Sequence, residues 1–430
     1  MSAFGRASAS RSRSARTART ALSALTIAVA GALVLAGCSG GGGGEGGTTA
    51  DGGLNLKIGT ILPQTGSLAV LGPPEFAGVH KAEQDINDAK AGITMTVTDK
   101  DSGDATTDIA SQSATSLIAD GNSAIIGAAS SGVSKTFIDQ VVSANVVQLS
   151  PANTAPEFST YKDNGYYWRT APSDVLQGRI LGNKILQDGK TNVSILYMND
   201  AYGKGLRENI KKTLEAGGAS IAAEATFEPS STDFNSAITS VLAPNPDALV
   251  VISFDEIKTI ADQLASKGFD FASFYGTDGN YGVIKETDTN VDIAGAQFTN
   301  PGVEAKEDFQ AGLQDMVKAD GDPALTVFSY AAESYDGTVL LALAALQGKA
   351  TDGPTLKDNL QSVSEGGTKC TTFADCAKLI EAGTDIDYDG ISGPITFDEN
   401  GDPTEAYVSV YKYGTGNKAT FSEQVYGKLD

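Results

Sequence analysis

A chain of 430 residues with one histidine, three cysteines and a net charge of −22 is too long for one ordinary core and suits two domains. The acidity argues against nucleic acid or an anionic lipid surface as partner. Beyond its first forty residues no stretch approaches about 18 uninterrupted apolar residues, so nothing there reads as a membrane-spanning helix.

Residues 1–37 read as a secretory signal. Arg6, Arg11, Arg13, Arg16 and Arg19 come without an acid, an apolar stretch from Ala21 to Ala36 follows, and small residues lead to Cys38. Leu35-Ala36-Gly37-Cys38 resembles the lipobox of bacterial lipoproteins. That resemblance implies that Cys38 receives diacylglycerol and becomes the mature N-terminus; the alternative is a plain signal peptide with an incidental cysteine. Residues 38–53, mostly Gly, Ser and Thr after Cys38, form a tether too poor in apolar groups to fold. It would reach roughly 20 Å from a membrane.

From Leu54 onward short apolar runs alternate with helical patterns. Strands are expected at Leu56–Leu62, Thr94–Thr98, Ala124–Gly127, Val146–Leu149, Val193–Met198, Ala248–Ile252 and Phe274–Gly276. Between them, apolar residues three and four apart predict helices at Phe76–Ile86, Ile109–Leu117, Phe137–Val141, Leu176–Leu186, Leu206–Leu214, Ile238–Leu242 and Ile257–Leu264. The rhythm indicates parallel sheets covered by helices. It breaks at Pro172, after a strand-like Tyr167–Thr170, and again after Gly295. Beyond that point Glu304–Lys318, Val327–Leu346 and Thr355–Val363 read as helices. Pro394–Phe397 and Ala406–Tyr413 look like an antiparallel pair joined by the turn Asp398-Glu399-Asn400-Gly401-Asp402-Pro403. The fold class is α/β: two doubly wound, Rossmann-like lobes with a ligand cleft between them, because open parallel sheets hold ligands beyond the carboxyl ends of their strands.

The loops after strands therefore carry the information. Ala128-Ala129-Ser130-Ser131-Gly132-Val133-Ser134 opens a helix whose free N–H groups suit an anion, with the Ser131 hydroxyl beside them; a simple helix cap is compatible with that role. Ser150-Pro151-Ala152-Asn153-Thr154 exposes backbone groups and a hydroxyl. Tyr202, between Asp200 and Lys204 at a helix entry, is suited to lie over a ligand. Asp278, at a strand's carboxyl end, could hold an ammonium group or cap a turn.

Several other patterns lead nowhere. Gly127-x4-Gly132 has the glycine spacing of a phosphate loop, but Val133-Ser134 stand where its Lys-Ser/Thr belongs. Asp385-x-Asp387-x-Asp389-Gly390 starts like a calcium loop, but position twelve is Thr396 and Pro394 interrupts it. No G-x-S-x-G is present, and His80 lies in a predicted helix, so neither catalysis nor a metal or cofactor is expected. Cys370 and Cys376 fit a structural disulfide better than a C-x-x-C redox motif or a zinc site.

Taken in order, a set of stretches is similar to the type I periplasmic-binding-protein superfamily, in particular the leucine/isoleucine/valine-type receptors of ABC importers. They are Ile58-Gly59-Thr60-Ile61-Leu62-Pro63-Gln64-Thr65-Gly66, Glu75-Phe76-Ala77-Gly78, Ile125-Ile126-Gly127-Ala128-Ala129-Ser130-Ser131, Leu149-Ser150-Pro151-Ala152-Asn153-Thr154, Asp200-Ala201-Tyr202-Gly203-Lys204-Gly205, Tyr330-Ala331-Ala332-Glu333-Ser334-Tyr335-Asp336, Tyr388-Asp389-Gly390-Ile391-Ser392-Gly393-Pro394 and Phe397-Asp398-Glu399-Asn400-Gly401. The resemblance runs from about Leu56 to Tyr413. It implies an N-terminal lobe of residues 54–171 plus 300–394 and a C-terminal lobe of 172–299 plus 395–430, with crossovers near 171, 299 and 395. It further implies that Ser131 holds a ligand α-carboxylate, that Asn153 and Thr154 add polar contacts, that Tyr202 covers the ligand, and that Asp278 pairs with its α-ammonium. Leu71 and Phe254 fall near the side-chain region. Relatives often carry Glu where Asp278 stands, and the shorter side chain bears on the ligand class.

The function so implied is a lipid-anchored receptor on the outer face of the bacterial cytoplasmic membrane. It would capture an L-amino acid of the branched-chain type and hand it to an ABC permease. A ligand sensor working with a partner protein, and a binder of urea, short amides or aromatic acids, are the alternatives on the same scaffold.

Overall fold

The computed structural model describes residues 53–288 and 290–429, all within one compact unit, Glu45–Asp430. The signal segment, Cys38 and the tether up to Gly52 lie outside the described residues.

Five strands form the first sheet: β1 (Leu54–Leu62), β2 (Ile93–Asp101), β3 (Ala124–Gly127), β4 (Val147–Ser150) and β5 (Tyr167–Arg169), in the order β2-β1-β3-β4-β5. Every pairing is parallel. β3 and β4 are buried along their whole length because helices cover both faces, which is why they read as unbroken apolar runs. The second sheet takes β6 (Asn192–Met198), β7 (Ser220–Phe227), β8 (Ala248–Ile252), β9 (Phe274–Gly276) and β10 (Gln297–Pro301) as its parallel part. A parallel pair, β11 (Thr368–Cys370) with β12 (Ile386–Tyr388), stands apart beside the paired Cys370 and Cys376. β13 (Glu405–Tyr413) and β14 (Ala419–Lys428) complete the second sheet, in the order β14-β13-β10-β9-β8-β6-β7. The described residues thus form a mixed α/β body with two lobes.

The antiparallel pair differs from expectation. Ala406–Tyr413 lies in β13 and pairs with β14 on one side and β10 on the other, whereas residues 394–397 make only isolated bridges, Asp389 to Pro394 and Phe397 to Pro403. The reason is burial. Ile395 and Phe397 are drawn into the core of the first lobe, where Phe397 meets the edge of Trp168 at 5.1 Å. The expected helix at Val327 also starts late, at Ala331, because Tyr330 adopts φ +61. That left-handed conformation costs a bulky residue about 1–3 kcal/mol.

Four helices after β10 return to the first lobe, and the most extensive packing among them is between Gly72–Ala89 and Ala331–Gly348. Gly78 makes this crossing work, since a Cβ there would lie 2.2 Å from the Ala331 carbonyl oxygen. One turn away sits Glu75, fully buried, with neither carboxyl oxygen hydrogen-bonded. Burial, and then the nearby Glu333, hold its pKa well above 4.5.

An acid whose folded-state pKa is raised contributes stability that is full below its unfolded value. That contribution is lost as pH climbs toward the folded value. Chemical denaturation between pH 5 and 8 is therefore expected to show stability falling, by up to about 1.4 kcal/mol per pH unit for one such group. Glu75→Met should flatten the slope; an unchanged slope would exclude Glu75 as its source.

Candidate functional site

The turn after β3 is shaped by backbone. Gly127 has φ +130, and a Cβ there would meet the Ile61 carbonyl oxygen at 2.1 Å, so only glycine lets the chain leave the strand this way. A four-residue helix, Ser131–Ser134, follows, with the Ser130 hydroxyl accepting the Val133 N–H. The turn after β4 is tied to it through Asn153. The Asn153 amide donates to the carbonyls of Ala128 (2.9 Å) and Ala129 (2.8 Å) and accepts from the Tyr167 hydroxyl (3.0 Å). Arg169 fixes the same turn from behind, donating to the carbonyls of Asn153 and Ala155. Its remaining charge is taken by Asp402 through two bonds of 2.6 and 2.7 Å. Both partners are buried, and the pair joins the end of β5 to the last connection between the lobes.

On the opposing wall Tyr202 stands in the first turn of the helix Ala201–Ala216, capped by Asp200. Its ring stacks on Phe254 at 5.5 Å. Its hydroxyl donates to Asp278 Oδ1 at 2.8 Å and meets the Thr277 hydroxyl at 2.7 Å. Asp278 also accepts from the Gln177 amide at 2.9 Å, and its Oδ2 accepts from the Tyr330 hydroxyl at 2.6 Å.

Ser131, Thr154, Tyr202 and Asp278 are thus brought around one cavity, with Leu68, Leu71, Ala129, Ala152, Phe254 and Tyr330. Asn153 does not line it; its side chain is spent holding the two turns of the wall together. The walls meet closely and leave about 10 Å³ for the centre of a water molecule, so a solute enters only if the lobes part. Larger cavities of about 700 and 320 Å³ lie nearer the surface. The small one is the better candidate because buried polar groups converge on it.

The sequence reading missed Asp174. It opens the helix Asp174–Gln187 directly after Ser173, where an acid is ordinarily explained by the helix dipole. It is fully buried, its N–H donates to the Thr154 carbonyl at 2.7 Å, and both its carboxyl oxygens lack a hydrogen-bond partner. Burial first, and then the charge of Asp278, push its pKa well above the carboxylate range. Asp278 is raised as well, by burial against the three donors that oppose the shift. Arg169, the cation whose charge reaches Asp174, is already paired with Asp402. Tyr330 also went unassigned; its left-handed backbone is the structural sign of its role.

The chain matches the family described as periplasmic binding protein over residues 55–418. It is 27% identical over 377 residues to the Leu/Ile/Val-binding protein BraC3 of Rhizobium johnstonii, covering 84% of this chain and 92% of that one. Among solved structures, LivJ of Streptococcus pneumoniae in complex with isoleucine has a TM-score of 0.67 at 23% identity, covering 87% of this chain and 99% of that one. A solute-binding protein from R. palustris in complex with 4-hydroxybenzoate has a TM-score of 0.68 at 17% identity, covering 87% and 97%. These likenesses to solved structures establish the fold.

Breaking the Arg169–Asp402 pair leaves a buried carboxylate uncompensated, so Arg169→Met is expected to cost about 3–5 kcal/mol in chemical denaturation. A loss under about 1 kcal/mol would mean that the pair does not hold this wall.

Proposed function

Because the chain belongs to the periplasmic binding protein family, we propose that it is an extracytoplasmic receptor that captures a zwitterion, an L-amino acid with an apolar and most simply branched side chain. The observation that carries this reading is the acid pair. Asp278 lines the cavity, Asp174 is fully buried behind the Thr154 turn with both carboxyl oxygens unpartnered, and Arg169, the cation whose charge reaches Asp174, is already bound to Asp402. A ligand ammonium would complete that wall. The ligand carboxylate would go to the opposite wall, at Ser131 and the free N–H groups of its turn. Leu68, Leu71 and Phe254 offer an apolar surface for the side chain.

The two ends of an amino acid would then be gripped by different lobes, so ligand stabilises the closed arrangement through contacts unavailable when the lobes are apart. In this reading Cys38 carries the lipid, Cys370 and Cys376 form a disulfide, and the closed receptor presents both lobes to an ABC permease.

An aromatic acid is the second reading, favoured by the stacked Tyr202–Phe254 wall and by Asp278 having three donors already. A thermal-shift panel of L-amino acids, short amides, urea and aromatic acids separates the two. Stabilisation by branched L-amino acids supports the zwitterion reading, and stabilisation by aromatic acids alone replaces it.

Calorimetry with the stabilising amino acid should find affinity roughly tenfold weaker in Ser131→Ala and roughly a hundredfold weaker in Asp278→Ala. Unchanged affinity in both variants would reject this site. Cys38→Ala should release the protein from membranes, and lipid labelling that persists in the variant would refute the anchor.

A further inference from the structure

Beside the connections between the lobes lies a second cavity, of about 200 Å³, between the end of β10, the loop Thr326–Tyr330 and the first turn of the helix Ala331–Gly348. Its lining contains four aromatic residues, Tyr281, Phe328, Tyr330 and Tyr411, and two acids, Glu304 and Glu333. Tyr281 and Tyr411 stack with ring centroids 4.2 Å apart. Glu304 accepts the Tyr411 hydroxyl. Glu333 is 4% exposed, and its carboxyl makes no hydrogen bond to another of the described residues. Among the described residues no Lys, Arg or His lines the cavity.

Each ligand class can be weighed against these groups. An anion would face two acids. A neutral apolar solute would leave the buried Glu333 carboxyl unpaired, at a cost. A bare metal ion gains little from aromatic rings, and among the described residues no group of three or more His, Cys, Asp or Glu is arranged to hold one. An organic cation suits both kinds of wall, because ring faces attract a diffuse positive charge and a carboxylate neutralises it.

We propose that this cavity is a second binding site, for a small organic cation of the methylated-ammonium class, distinct from the cleft that holds the solute. Burial first, and secondarily the charge of Asp336, push Glu333 up to about 8, as expected of an acid with no positive partner. Tyr330 lines both cavities, with its hydroxyl on Asp278, so a cation at the second site would press on the wall of the first.

The test is titration of the purified protein with tetramethylammonium, followed by calorimetry and thermal shift. The uncharged 2,2-dimethylpropanol, a near-isostere larger by one hydroxyl, and matched potassium chloride serve as controls. Saturable binding at least about tenfold tighter than that of the isostere is expected. It should weaken about tenfold in Glu333→Gln and several-fold in Glu304→Gln, an exposed position whose substitution leaves the core intact. The proposal is overturned by absence of saturation, by equal binding of the isostere, or by binding that neither variant changes. A signal that vanishes in Asp278→Ala instead would put the cation in the cleft and overturn it equally.

Discussion

Two carboxyl groups, Asp174 and Asp278, are buried where the lobes meet, and among the described residues neither is ion-paired: Arg169, the cation whose charge reaches Asp174, is held by Asp402. Burying an unpaired carboxylate is costly, and the usual outcomes are protonation or pairing. Asp278 is partly satisfied by Gln177, Tyr202 and Tyr330, and Asp174 is not. The closed arrangement therefore carries an electrostatic burden that a cationic group can relieve. The opposite wall has the complementary character, a helix start with hydroxyls and free N–H groups. A molecule bearing both charges at amino-acid spacing would answer both walls at once.

The rest of the scaffold keeps those walls in place. Gly127 lets β3 end against β1, Asn153 ties the two N-terminal turns, and the Arg169–Asp402 pair anchors them to the last interlobe connection. A buried ion pair of this kind is weak evidence for stability, since its desolvation offsets much of its attraction. Its value here is positional: Asp402 lies between Phe397 in the first lobe's core and the start of β13 in the second sheet, and Arg169 holds the carbonyls on either side of Thr154.

Much of the fold was legible because parallel strands covered on both faces are continuous apolar runs. β3, β8 and β9 were found at their observed limits for that reason. β7 was missed because Ser220–Phe227 carries three Ala and a Glu, residues that favour helix. β14 was missed because it is an edge strand, mostly exposed and polar, with no alternation to read. In the candidate site, Ser131, Thr154, Tyr202 and Asp278 could be picked out because each follows closely on the carboxyl end of a strand. Asp174 could not, because an acid opening a helix has an ordinary explanation, and only its burial and lack of a partner set it apart. Tyr330 is similar: no residue type announces a positive φ at a helix start.

The most direct measurement is calorimetric comparison of L-leucine with 4-methylpentanoate, which keeps its shape and carboxylate and lacks the ammonium. If Asp174 and Asp278 receive the ammonium, leucine binds and the analogue loses at least about a hundredfold in affinity. Equal binding of the two would show that the buried acids take no part in recognition, and would contradict the account.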